Sequence, residues 1–127
     1  MKKTLTAALL LGGVFALHQA HAACTYPIAP GNFPDGNVAS REEITSTKAL
    51  VVKYDADMKD YLVCIRSEFD ARLGAQTDVT AAQKGEMERM HLQKEDAALA
   101  EVKDVVARFN EQLTIWVEKN VPKKKRS

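Results

Sequence analysis

Two runs of apolar residues at helical spacing, separated by a short polar turn, constrain this chain most. In the first run Ile44, Val51, Tyr54, Met58, Tyr61, Leu62, Ile65 and Phe69 follow one another in steps of three, four and seven. Such steps place a broad apolar stripe on one face of a helix. In the second run Met87, Met90, Ala97, Ala98, Val102, Val105, Phe109, Leu113 and Trp116 repeat the pattern, interrupted by Lys94. No strand-like alternation and no hairpin dipeptide lies between them. The spacing predicts an all-α fold.

Local chemistry sets the ends of both helices. Ser40-Arg41-Glu42-Glu43 has the form of a capping box, and Thr80-Ala81-Ala82-Gln83 offers a second. Gly74 is the expected stop of the first helix, and Val121 before Pro122 stops the second. Helices over 41–73 and 80–120 follow, the first ~50 Å long at ~1.5 Å per residue. Two long helices joined by a short turn bury their stripes by packing antiparallel, so residues 40–121 form a helical hairpin with coiled-coil character. Tyr54, Met58, Tyr61, Phe109, Leu113 and Trp116 are its anchors, available for the core or for an interaction surface.

The segment 23–39 is different. Pro27, Pro30 and Pro34 forbid a helix, and Pro34-Asp35-Gly36 is turn chemistry. It reads as an extended arm with Tyr26, Ile28 and Phe33 as anchors. Upstream, Lys2 and Lys3 precede an uncharged apolar run from Leu5 to Leu17, and Ala20-His21-Ala22 is a small-x-small site. Residues 1–22 therefore read as a signal peptide cleaved near Ala22, and the expected location is periplasmic or secreted. The residues before Cys24 lack the aliphatic pattern of a lipid-modified cysteine, so a freely exported protein is expected. No second apolar stretch of ~20 residues occurs, which excludes a spanning helix in the remaining chain.

Cys24 and Cys64 are the two cysteines of the chain. An even pair in an exported chain points to a disulfide, whereas a metal pair or redox thiol lacks a C-x-x-C to support it. Closing a loop of 41 residues stabilises by roughly 4 kcal/mol on the chain-entropy argument. Geometry agrees with this pairing. Cys64 stands ~36 Å up the first helix at ~1.5 Å per residue, and the arm reaches ~47 Å if polyproline-like. The arm is expected to run back along the hairpin and be stapled near its turn end. Two helices and an arm make a thin core, which suggests a homodimer with a four-helix arrangement.

Charge and motifs restrict function further. Without residues 1–22 the chain carries 16 basic and 17 acidic residues, or −1. Four of the positive charges are Lys123–Arg126, in the tail 122–127, so residues 23–121 stand at −5, with 12 basic against 17 acidic. An acidic body with a short basic tail is a poor nucleic-acid binder. About a hundred residues exclude a two-domain cofactor enzyme, and no cofactor is implied. His91 is the one histidine after residue 22, and no nucleophile elbow, zinc-protease or dinucleotide motif occurs. Glu42/Glu43 and Asp55/Asp57 pair carboxylates on faces rich in lysine, where solvated helix surface is the better account. No catalytic residue is assigned. Met87, Met90 and His91 are the one set with ligand character, suited to Cu(I), against a bland account in which both methionines fill the core and His91 is a polar flank residue.

The pattern Cys24 with following prolines, Pro34-Asp35-Gly36, Ser40-x-x-Glu43, Tyr61-Leu62-Val63-Cys64 with Glu68, and Arg108-Phe109-Asn110 resembles a family of small, uncharacterised exported helical-hairpin proteins of Gram-negative bacteria. The resemblance implies location and build and carries no functional residue. A weaker likeness, through Val79-Thr80-Ala81-Ala82-Gln83, runs to the Spy-like periplasmic chaperones. The expected function is a non-catalytic interaction module for another envelope or exported protein, as adaptor, inhibitor or immunity-type factor. A holdase chaperone is the alternative, and Cu(I) handling a minor one.

Overall fold

Ser40 and Thr80 start the two helices as their side-chain chemistry dictates. The Glu43 amide donates to Ser40 Oγ at 3.1 Å while the Ser40 amide donates to Glu43 Oε2 at 2.7 Å. Thr80 and Gln83 repeat the exchange at 3.3 and 2.9 Å. Each reciprocal pair satisfies two amides that a helix start leaves without partners. In the computed structural model, which describes residues 23–122, α1 runs Arg41–Ala75 and α2 Ala81–Asn120. They pack antiparallel as a hairpin, with no strand among the described residues. The expected leader, residues 1–22, and the basic cluster Lys123–Arg126 lie outside the described residues.

The helix ends hold one correction. Gly74 does not stop α1; the helix passes through Gly74 and Ala75, and extended Gln76 caps it at φ −98° and ψ 106°. No described glycine has positive φ, so the left-handed glycine cap expected there does not form. The link from Gln76 to Thr80 turns the chain with extended residues instead. Val121 closes α2 as expected of a residue before proline, at φ −107° and ψ 118°.

A glycine within a helix and touching nothing costs stability without return. Gly74 and Gly85 have no atom within 4 Å of where a Cβ would sit. Gly85→Ala is therefore expected to raise the unfolding free energy by about 0.5–1 kcal/mol, read from chemical denaturation. A loss of stability would mean that the start of α2 is not helical.

The core is the seam between the helices. Ile44, Val51, Tyr54 and Met58 of α1 meet Ala98, Val105 and Phe109 of α2, each less than a tenth exposed. Tyr61, Leu62, Leu113 and Trp116 pack half-buried around it. All six anchors are thus core or core-flanking residues.

The arm lies along one flank of this seam. Cys24 is bonded to Cys64 with 5.8 Å between the Cα atoms, and Ala29, Phe33 and Ala39 pack on the core. The attachment is about two thirds of the way up α1 rather than at the turn end, and among the described residues the arm reaches no further up α1 than Glu68. Ile28 is not an anchor; it is 94% exposed. Tyr26 meets Tyr61 and Ala29 packs on the core, while Ile28 between them points to solvent.

Candidate functional site

Polar contacts fix the arm at both ends. Near its start, the Cys24 amide donates to Glu68 Oε1 at 3.2 Å, and the Tyr26 ring meets Tyr61 edge-on at 4.9 Å. Glu101 ties three elements together. It accepts from Tyr26 Oη at 2.6 Å with one oxygen and from Tyr54 Oη at 2.9 Å with the other. Further along, the Arg108 guanidinium lies 4.9 Å from the Phe33 ring centroid, a cation–π contact. At the arm's end the Gly36 amide donates to Gln112 Oε1 at 2.9 Å, and Trp116 Nε1 donates to the Ala39 carbonyl at 3.0 Å. Lys119 donates to the Asn37 carbonyl. The turn is an Asx turn, in which Asp35 Oδ1 accepts from the Asn37 amide at 2.9 Å; that bond holds the Asp35 carboxyl below its usual range.

The tyrosine pair on Glu101 has a pH consequence. Burial first, and the Glu101 carboxylate second, push the Tyr26 hydroxyl up to about 12 and Tyr54 upward as well. Raised phenols contribute stability that is intact below their ordinary value of 10.0 and is lost as pH rises through the displaced values. The stability difference between the wild type and Tyr26→Phe/Tyr54→Phe is therefore expected to hold constant up to pH 10 and to shrink from there through pH 12. A difference that stays level in alkaline denaturation curves would remove Glu101 as the hub.

The carboxylate pairs on α1 are helix surface. Asp55 is bound by Lys59 at 2.6 Å and Asp57 by Lys53 at 2.8 Å, both partners four residues away. Cys24, Cys64 and Glu68 bring ligand-type atoms within 4.8 Å of one another, but both sulfurs are spent in the disulfide. No described helix is long and apolar enough to cross a membrane.

Two features remain unexplained by the core and the arm. One is the flank opposite the arm. Residues of α2 that touch the arm, such as Glu101, Arg108 and Gln112, lie roughly 150° around the helix from Leu92, Leu99 and Val106 at about 100° per residue. Leu92 and Leu99 are 52% and 46% exposed, while Val106 and Leu113, continuing the same seven-residue spacing, are half-buried. Leu62 of α1 is half-buried and packs on the core. The sequence carried this stripe as a heptad repeat, which the core stripe overshadowed.

The other feature is near the turn. His91 is not the polar flank residue the bland account expected; it is 6% exposed and stacks on Phe69 with centroids 4.4 Å apart. Its spacing of seven from Ala98 and Val105 was the available signal. His91 Nε2 lies 3.0 Å from Glu95 Oε1, yet the alignment is too poor for a hydrogen bond, and the buried nitrogen has no hydrogen-bond partner. Glu95 is in turn held by Arg66 at 3.1 Å. Met87 and Met90 line one pocket of about 100 Å³ with His91, on the stretch the arm leaves uncovered. Met90 is 48% exposed and Met87 half-buried, so neither belongs to the buried core.

Comparison with family models, with curated proteins and with solved structures finds no match to this chain. The residues that carried the sequence resemblance are put to a structural use. Cys64, Tyr61 and Glu68 grip the arm's start and Arg108 its middle, while Phe109 fills the core.

Proposed function

We propose that this chain is a non-catalytic protein-interaction module of an oxidising, extracytoplasmic compartment, acting as an adaptor, inhibitor or immunity-type factor. The observation that carries the proposal is the open apolar flank. A two-helix hairpin has two seams, and the arm occupies one of them. The other presents Leu92 and Leu99, with Val106 and Leu113 half-buried against the core at the same seven-residue spacing. Anchors at that spacing suit an amphipathic helix laid lengthwise into the groove. The partner is accordingly an exported or envelope protein that offers such a helix. The disulfide supports the compartment, since such bonds persist where conditions are oxidising.

A second copy fits the flank less well. The stripe centres between Leu99 and Val106, so antiparallel two-fold packing brings Lys103 close to its own counterpart, a like-charge contact. The holdase alternative is also less suited. Its clients need a broad adaptable surface, whereas this stripe is one residue wide per heptad with Asp96 and Lys103 on its outer border.

A photo-crosslinking residue placed at Leu99, with Ala107 on the solvent face as control, tests the proposal in cells. One discrete adduct at position 99, heavier than the chain by a defined partner and absent at position 107, is expected. A smear of clients at position 99 would favour the holdase, and an adduct of twice the chain's mass would favour the homodimer. Each of these, or no adduct, would overturn the proposal.

A further inference from the structure

The geometry points to a soft-metal site at the turn end of the hairpin, in which Met87, Met90 and His91 bind a single Cu(I) ion or its analogue Ag(I). This is independent of the partner groove. The three donors stand at positions i, i+3 and i+4 of α2, which places them on neighbouring turns of one face. They line the same pocket of about 100 Å³, ample for one ion. Two thioethers and an imidazole form a soft, uncharged set, which favours Cu(I) over hard cations.

His91 holds its Nε2 toward a carboxylate, as the outer nitrogen of a metal-bound histidine does. A core histidine normally satisfies its nitrogens, since an unpaired buried polar atom is costly. Here Nε2 is buried 3.0 Å from Glu95 Oε1, a contact out of line for a full hydrogen bond. Histidines that bind metals present one nitrogen to the ion and the other N–H to a carboxylate. A small ring rotation would complete that bond from Nε2 to Glu95, with Nδ1 left as the ligand. The Phe69 stack and the Arg66–Glu95 ion pair limit the ring to such small movements. Met90, half-exposed, supplies the entry point.

Charge around the site is balanced, so the soft donors and not the rim select the ion. Arg72, Lys94 and Glu68 line the pocket, and the Glu95 carboxylate lies 3.0 Å from His91 Nε2.

Ag(I) is the cleanest probe, because it needs no reductant and the disulfide leaves no thiol to compete. Purified, oxidised protein is titrated with Ag(I) against a competing chelator while the methionine methyl resonances are followed by NMR. The expected result is one equivalent bound, more tightly than about micromolar. The Met87 and Met90 methyls and the His91 ring should shift together, with the core residue Met58 unmoved. Met87→Leu/Met90→Leu, which keeps volume and hydrophobicity, is expected to weaken binding by about 100-fold or more at an unchanged melting temperature. Unshifted Met87 and Met90 methyls at one equivalent, or full affinity in the leucine variant, would overturn the assignment.

Discussion

Replacing Cys24 and Cys64 together by alanine is expected to cost about 3–4 kcal/mol of stability and roughly 15–25 °C of melting temperature. The bond closes a loop of 41 residues, which contains the whole arm after Ala23 and the first two thirds of α1. Chain entropy sets the size of the effect, and the 5.8 Å Cα separation, within the common range for disulfides, lets most of it be realised. The loss should not be uniform. At its start the arm keeps the Cys24–Glu68 and Tyr26–Glu101 hydrogen bonds, both to side chains near the surface. At its other end, Trp116 and Gln112 hold the backbone around Gly36 and Ala39. Hydrogen exchange in the alanine variant is therefore expected to accelerate most near residues 24–29 and least at Gly36. A melting temperature within a few degrees of wild type would show that the staple constrains little.

Gly36→Ala is expected to be the most damaging of the small substitutions, at about 2–3 kcal/mol. Gly36 sits against the backbone of α2. A methyl group there would overlap the Gln112 carbonyl oxygen and come within 2.9 Å of Ile115 Cβ and 3.0 Å of the Trp116 amide. Backbone of a packed helix cannot yield, so the turn must lift. Lifting breaks the Gly36–Gln112 hydrogen bond and strains the Trp116 bond to Ala39. The same exchange at Gly85 has the opposite sign, because nothing lies near it. Measured side by side by urea denaturation, the two alanine variants should bracket the wild type. A Gly36→Ala protein as stable as wild type would mean that the turn does not rest on α2.

Where helix structure is local, the sequence was enough. Both capping boxes rest on residues three apart, and their neighbours decide them whatever the rest of the chain does. The core stripe of α1 was also legible, since Ile44, Val51, Tyr54, Met58, Ile65 and Phe69 are all buried. Errors gathered where a residue's fate depends on something distant. Gly36 read as ordinary turn chemistry, because its partners stand 76 and more residues away. Ile28 read as an anchor because it is large and apolar, but contacts to distant residues of both helices decide which side chains of the arm face inward. The candidate site was less legible for a related reason. Steps of three and four favoured Met90 over His91, whereas the packed hairpin follows a seven-residue repeat that buries His91, Ala98 and Val105 together. That repeat also separates Leu92 and Leu99 from the core and leaves them exposed.

The two unexplained features share one origin. An arm fixed at Cys64 and ending at Ser40 covers a single flank over part of its length. Among the described residues it leaves Leu92 and Leu99 of the opposite flank exposed and does not reach Met87, Met90 and His91 near the turn. Had the staple been one heptad nearer the turn, the arm would lie over the methionine pocket. Position of the disulfide therefore governs what surface is available.

Long-range nuclear Overhauser contacts from the aromatic rings of the arm test this placement most directly. Tyr26 should show contacts to the Tyr61 ring and Phe33 to the Arg108 side chain, with none from either ring to the methyls of Leu92 or Leu99. Contacts from Tyr26 or Phe33 to those leucines would put the arm in the groove assigned to a partner and would contradict the account.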